Sequence, residues 1–337
     1  MIAGALSKSI QRRWYGRQPL WPLVPLAVLF GGVVALRRVA YERGWLRSYR
    51  VSPPVLVVGN VTVGGSGKTP LTLAVIERAQ QHGLRVGVVS RGYGGQAERY
   101  PLAVNGQTSA EAAGDEPVLI ARRTGVPVVV APDRVAAARA LVERGDVDLI
   151  VADDGLQHYR LVRDAEIVVA DARRGNGNGW LLPAGPLREP AQRSERADLC
   201  CVHGQNADFW LAPGQAVNLD DDQRRPLAEF AGAPVHAVAG IGEPARFFDM
   251  LRAAGLTVIE HAMADHHRYR AEDLAFESAG PVLMTEKDAV KCGGFDRDDL
   301  WMVPVETRLS SGCAARIDAL LARLARSGTR AQEQGAE

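Results

Sequence analysis

The stretch Val55-Leu-Val-Val-Gly-Asn-Val-Thr-Val-Gly-Gly-Ser-Gly-Lys-Thr-Pro70 decides the fold. Val55–Val58 is a short aliphatic run of the kind that forms a buried strand. Thr62-Val-Gly-Gly-Ser-Gly-Lys-Thr69 follows directly, and the spacing after it predicts a helix over Pro70–Gln81. Strand, glycine-rich loop and helix in that order build an anion cradle. Gly64, Gly65 and Gly67 let backbone N–H groups turn inward around phosphate oxygens. The following helix points its positive N-terminal end at the same place. Lys68 can reach the β and γ phosphates, and the Thr69 hydroxyl can ligate Mg²⁺. Pro70 suits a first helical turn, where its missing N–H costs nothing. The loop fits GxxxxGK[ST] except that Thr62 stands where the first glycine is expected. Thr62, Val63, Gly64, Gly65, Ser66, Gly67, Lys68 and Thr69 are the candidate nucleotide-binding residues; the bland alternative is a glycine-rich turn that binds nothing.

Working outward, Leu149-Ile-Val-Ala-Asp-Asp154 is an apolar strand that ends in two carboxylates. Such a pair holds Mg²⁺ opposite a phosphate-binding loop, or it caps the next turn. Asp153 and Asp154 are both candidate ligands beside Thr69, and the sequence does not choose between them. Further strands are expected at Val86–Ser90, Val126–Ala131 and Ile167–Ala170, with a helix from Arg134 to Glu143 capped by Asp133 and stopped by Gly145. Short buried strands alternating with helices predict a P-loop NTPase-type α/β fold, a mostly parallel sheet covered on both faces. Around Arg173–Arg196 the rhythm breaks into Gly, Pro, Asn and Arg, either a domain junction or a substrate loop. A weaker α/β series follows, with strands near Leu199–Val202, His236–Ala239, Val282–Met284 and Trp301–Val305 and a helix near Pro244–Ala254. A last helix places Ile317, Leu320, Leu321 and Leu324 on one face. The expected organisation is an N-terminal anchoring segment (1–50), a P-loop domain (51–190), a smaller α/β domain (191–305), a terminal helix packing back (306–326) and a disordered tail (327–337).

With 40 Lys plus Arg against 39 Asp plus Glu in 337 residues, the formal charge is +1, which argues against bulk electrostatic binding to nucleic acid. Cys200, Cys201, Cys292 and Cys313 form no CxxC pair, as suits a reducing compartment. Leu20–Leu36 carries no charge over 17 residues, about 25 Å of helix and shorter than the ~30 Å hydrocarbon core. Arg12, Arg13 and Arg17 precede it, and Arg37, Arg38, Arg43, Arg47 and Arg50 follow. Arginines on both sides suit a segment dipping into one leaflet with its flanks at anionic headgroups. The alternative is a buried core helix, for which Pro22, Pro25, Gly31 and Gly32 are poorly chosen.

A P-loop enzyme that phosphorylates a hydroxyl needs a proton acceptor and cations to offset phosphoryl charge. Asp115, in Ala-Gly-Asp-Glu-Pro, sits on a turn before a helix and is either such a base or an N-cap. His266 and His267 follow Asp265 without the HExxH or Cys partners of a metal site. Arg91, Arg134 and Arg188 lie at turns where a guanidinium can clamp a polyanion.

Taken together these pieces resemble the tetraacyldisaccharide 4'-kinase (lipid A 4'-kinase) family of Gram-negative bacteria. The resemblance runs along nearly the whole chain. It rests on the apolar N-terminal segment, Val58–Pro70, Ser90-Arg-Gly-Tyr-Gly94, Gly114-Asp-Glu-Pro117, Asp153-Asp-Gly-Leu-Gln-His158, Leu182-Pro-Ala-Gly-Pro-Leu-Arg-Glu189, Asp265-His266 and Thr285-Glu-Lys-Asp288. The family shares Thr62 at the loop's first position. The resemblance implies transfer of the ATP γ-phosphate to the 4'-hydroxyl of a tetraacyl glucosamine disaccharide 1-phosphate, giving lipid IVA, at the cytoplasmic face of the inner membrane. It further implies Asp115 as general base with His266 orienting it, and Lys68 and Thr69 serving ATP and Mg²⁺ with Asp153 or Asp154. Gln157 and His158 would lie nearby, and Arg91, Arg134, Arg188 and Glu189 would serve the lipid headgroup. The implied partners are the lipid substrate and the membrane surface, with no nucleic acid, and a monomer is expected. The competing reading is a membrane-associated P-loop switch or partitioning ATPase. Such ATPases often carry an extra lysine early in the loop, and Asn60–Ser66 has none.

Overall fold

The structure, a computed structural model, describes Ile10 and residues 13–145, 147–292, 294–295 and 297–334. Arg12 of the basic flank and residues 335–337 of the expected tail therefore lie outside the described residues. The first eight strands are β1 (Val55–Gly59), β2 (Val86–Ser90), β3 (Leu102–Val104), β4 (Val128–Val130), β5 (Leu149–Asp153), β6 (Ala165–Asp171), β7 (Leu199–His203) and β8 (Phe209–Pro213). They are followed by β9 (Ala216–Asn218), β10 (Arg224–Arg225), β11 (Pro234–Ala239), β12 (Thr257–Ala262), β13 (Val282–Thr285), β14 (Leu300–Val303) and β15 (Val305–Leu309). Two sheets result, one in the order β15-β8-β7-β6-β1-β5-β2-β4-β3 and a smaller one in the order β10-β9-β14-β13-β11-β12.

In the larger sheet β7, β6, β1, β5, β2 and β4 run parallel, with β1 flanked by β6 and β5. All five residues of β1, β2 and β5 are buried, as expected of central strands covered on both faces. Alternate residues serve opposite cores. Leu56, Val58, Val88 and Val151 pack on one side, and Val55, Val57, Val89 and Ile150 on the other. The first side is closed by α2 (Lys68–Gln81), α3 (Asp115–Thr124) and, from the far end of the chain, α6 (Ser311–Gln334). The second is closed by α4 (Arg134–Arg144). In the smaller sheet β14, β13, β11 and β12 are parallel, and α5 (Pro244–Ala253) covers one face.

Several sequence expectations shift. β7 and β8 lie beyond residue 190 yet belong to the larger sheet, and β15 returns to pair antiparallel with β8. The chain thus leaves the first sheet through β8 and re-enters it through β15. The terminal helix runs to Gln334, past the expected end at 326, and Arg78 of α2 forms an ion pair with its Asp318. The edge strand β12 was unexpected because four of its six residues are exposed and the other two only half-buried, without an apolar run.

The N-terminal segment forms a single-turn 3₁₀ helix (Trp21–Leu23) that runs into α1 (Val24–Glu42). Pro22 and Pro25 are harmless here because each falls in a first helical turn. Together Trp21–Glu42 span 22 residues, about 33 Å, long and apolar enough to cross a membrane. Within α1 only Ala27 and Ala40 are buried, while Leu26, Val28, Leu29, Val33 and Leu36 are exposed. A core helix would show the reverse.

Candidate active site

The parallel strands of the larger sheet point their C-terminal ends at one crevice, where ligands bind in open α/β sheets. β1 ends at Gly59 and releases the chain into the loop Asn60–Gly67. Asn60 is fully buried, and its amide donates to the hydroxyls of Thr62 (3.3 Å) and Ser66 (3.0 Å), drawing the two ends of the loop together. Val63 N–H donates to the Pro186 carbonyl, Arg188 N–H donates to the Val61 carbonyl, and Tyr15 donates its hydroxyl to the Val63 carbonyl. Gly64 and Gly67 adopt φ of +98° and +89°, a backbone shape that other residues take only under strain. Lys68 and Thr69 open α2, with Lys68 as its first residue.

β5 delivers the acidic pair. Asp153 is buried and accepts a hydrogen bond from Thr72 of α2 (3.1 Å). Its burial, together with the nearby negative charges of Glu116 and Asp154, pushes its pKa up to about 7. Asp154 has a positive φ (+47°) and faces Lys68 at 3.9 Å and Arg188 at 3.0 Å. Burial works against its charge, but Lys68 and Arg188 outweigh that and hold its pKa below the usual carboxylate range. Arg134 is buried at the start of α4, with a guanidinium nitrogen 3.5 Å from the Asp154 carbonyl. Its burial lowers its pKa to about 10 against the pull of Asp153 and Asp154.

No trio of His, Cys, Asp or Glu that could cage an ion occurs among the described residues. The donor set nevertheless suits Mg²⁺, which is held by one or two carboxylates while substrate phosphates and water complete its shell. Asp153, crowded by two other carboxylates and carrying a raised pKa, is the group whose charge a divalent ion would relieve.

A second group of side chains meets where the two sheets face each other. Asp115 begins α3, and His266 lies in the turn after β12 with a positive φ of +59°. Their side chains come together across 151 residues of sequence, Nδ1 to carboxylate at 2.8 and 3.1 Å. Lys287 and Lys291 approach the same carboxylate at 3.9 and 3.8 Å. Burial would raise the Asp115 pKa, but the His266 hydrogen bond and the two lysines overcome it and hold the group below the ordinary value. For His266, burial favours the neutral ring; the hydrogen bond to Asp115 outweighs it and raises the pKa. Lys287 also binds Glu116 and Asp265, each at 3.2 Å. Glu116 and Lys287 lie in the motifs Gly114-Asp-Glu-Pro117 and Thr285-Glu-Lys-Asp288 that the sequence offers, but without an assigned task, and Lys291 and Thr72 lie outside the candidate residues. Only Thr72, on α2 three residues after Thr69, had a local signal.

The remaining candidates are placed differently. Arg91 is exposed at the end of β2, electrostatically coupled to Arg134. Gln157 spends its amide on the Asn60 carbonyl (3.1 Å) and so braces the loop. His158 accepts from the Arg134 backbone N–H (3.3 Å), and burial beside Arg134 drops its pKa to about 4. Glu189 is buried, taking the Tyr159 hydroxyl at 2.6 Å with Arg193 at 3.6 Å.

Known proteins match this chain in sequence and in fold. The family model described as tetraacyldisaccharide-1-P 4'-kinase matches residues 19–322. A tetraacyldisaccharide 4'-kinase of Stenotrophomonas maltophilia is 53% identical, over 88% of this chain and 91% of the relative. One from Azotobacter vinelandii is 51% identical, over 95% of this chain and 98% of the relative. Among solved structures, LpxK from Aquifex aeolicus in complex with ATP superposes with a TM-score of 0.76 at 28% identity, covering 90% of this chain and 98% of that one. With a matched fold, a matched family model and half-identical relatives along nearly its full length, the chain belongs to the tetraacyldisaccharide 4'-kinase family.

Proposed function

We propose that this chain is an ATP-dependent lipid kinase that transfers the γ-phosphate to the 4'-hydroxyl of a tetraacyl glucosamine disaccharide 1-phosphate, forming lipid IVA. The observation that carries this reading is the Asp115–His266 pair set beside the P-loop crevice, on a chain that belongs to the kinase family. A switch ATPase has no need of a proton acceptor for a sugar hydroxyl.

In this reading the loop Thr62–Thr69 holds the phosphates through its backbone, and Lys68 places its charge on them. Asp115, kept ionised by His266, Lys287 and Lys291, takes the proton of the attacking hydroxyl. His266 fixes the carboxylate through its Nδ1 proton. Arg188 and Arg134, already beside Asp154, supply positive charge on the other flank of the crevice. Asp153, Asp154 and Thr69 would hold Mg²⁺, which when bound neutralises charge on the β and γ phosphates. Arg91 is the exposed cation that suits the substrate's own phosphate. The contacts of Gln157, His158 and Glu189 suit support of the loop, of Arg134 and of Tyr159 with Arg193 better than direct contact with lipid.

The exposed apolar side of α1 and its arginine flank support a place at the cytoplasmic face of the inner membrane, where an acylated disaccharide is found. All the side chains named come from one chain, so a monomer suffices. The test is phosphate transfer from γ-labelled ATP to the tetraacyl disaccharide 1-phosphate in detergent micelles, with Lys68→Ala as control. Label in the lipid that disappears with the control is expected. Phosphate released to water without labelled lipid would favour the ATPase.

A further inference from the structure

The P-loop also meets a second group of side chains, around His203, where the two sheets join. His203 ends β7 and is buried. Its ring lies directly under the loop's last glycine: a Cβ on Gly67 would stand 2.9 Å from Nδ1 and 3.2 Å from Cγ. The ring also lies against the Ser66 backbone and stacks on Phe209 at 4.9 Å, the residue that opens β8 on the way to the smaller sheet. Nδ1 lies 2.9 Å from a guanidinium nitrogen of Arg246, in the first turn of α5. A guanidinium only donates, so Nδ1 is the acceptor and the imidazole is neutral. Burial and Arg246 hold the His203 pKa below its ordinary value, in keeping with this.

Arg246 is itself clamped. It pairs with Asp171 at the end of β6 and with Glu243 three residues before it. Arg174 continues the cluster, 3.4 Å from Glu243, with its guanidinium over the Tyr15 ring at 4.7 Å. At the same junction the smaller sheet touches the loop directly, since a Cβ on Gly242 would fall 2.8 Å from the Gly65 nitrogen. The loop that must close on phosphate is therefore floored by a residue whose free edge is held from the other sheet.

We propose that His203 is a positioning residue that couples the seating of the smaller sheet, through Arg246, to the phosphate-holding shape of Ser66 and Gly67. Neither side chain contacts the reacting atoms. Their effect passes through the loop backbone and falls on ATP before the lipid. The proposal rests on the reading of Thr62–Thr69 as the ATP site.

The experiment measures ATP dissociation constants by calorimetry, and KM for ATP and for lipid, on the full-length enzyme in detergent. It uses His203→Leu, His203→Asn, Arg246→Met, the His203→Leu/Arg246→Met double variant and Lys68→Ala. Misplacing a positioned group by about 1 Å costs on the order of 100-fold. His203→Leu and Arg246→Met are each expected to weaken ATP binding by about tenfold or more, with lipid KM unchanged. The double variant should be no worse than either single one. His203→Asn, which sets an acceptor oxygen where Nδ1 stood, should recover most of the loss. Wild-type ATP affinity in His203→Leu or Arg246→Met, an Asn variant as impaired as the Leu variant, or additive losses in the double variant would overturn the proposal. If Lys68→Ala binds ATP as the wild type does, the ATP-site reading falls first. If Lys68→Ala loses ATP and the His203 and Arg246 variants do not, only the coupling falls.

Discussion

The nucleotide loop is built from neighbours in the chain, its glycines followed directly by Lys68 and Thr69. Gly67 shows how tight that construction is, since it combines φ of +89° with the His203 ring beneath it. Gly67→Ala must accept about 1–2 kcal/mol of backbone strain and displace the ring. It is expected to raise KM for ATP at least tenfold, read in steady-state kinetics with the lipid saturating. Lys287, Lys291 and Arg246 could not be read the same way. Lys287 meets Glu116 from 171 residues away, and nothing local to either marks the encounter. The Asp115–His266 pair has its own pH signature. Protonated His266 holds the carboxylate as an ion pair and weakens it as a base. As pH rises through the raised His266 pKa, above 6.5, the carboxylate becomes more basic while the pair's contribution to fold stability is lost. A profile of kcat/KM should thus climb through a pKa above 6.5, and His266→Asn should remove that limb. A limb unchanged in the variant would detach His266 from the base.

At the scale of elements, continuous aliphatic runs located the buried strands well because burial on both faces leaves no polar alternation in them. β1, β2 and β5 are of this kind. β12 and the two-residue β10 escaped because exposed edge strands carry no such run. In α1 the sequence showed an unusual apolar segment, and the structure shows its apolar residues left uncovered, with Leu29 66% and Val33 57% exposed. Burying those two side chains in lipid would contribute about 1.5–3 kcal/mol each. Leu29→Glu/Val33→Glu should therefore reduce sedimentation with anionic vesicles about 100-fold or more in partition constant, while the melting temperature in detergent stays unchanged. Wild-type sedimentation would mean that another surface docks to the membrane.

Across the whole molecule, the larger sheet presents the nucleotide loop and the acidic pair, while the smaller sheet contributes His266, Lys287 and Arg246. The division expected at residue 190 missed this because no composition change marks where β7 and β8 leave and β15 returns. The domain join is set by pairing between β8 and β15, which are separated by residues 214–304, and pattern reading along the sequence does not see pairing. Chemistry placed between two sheets makes the active centre depend on both, and the central claim is that Asp115 takes the proton there. The most direct test is a single-turnover measurement on Asp115→Asn with ATP and lipid both bound. The account predicts a phosphoryl-transfer step slowed by about 10²–10⁴ with the dissociation constants of both substrates nearly unchanged. A wild-type transfer rate in that variant would contradict it.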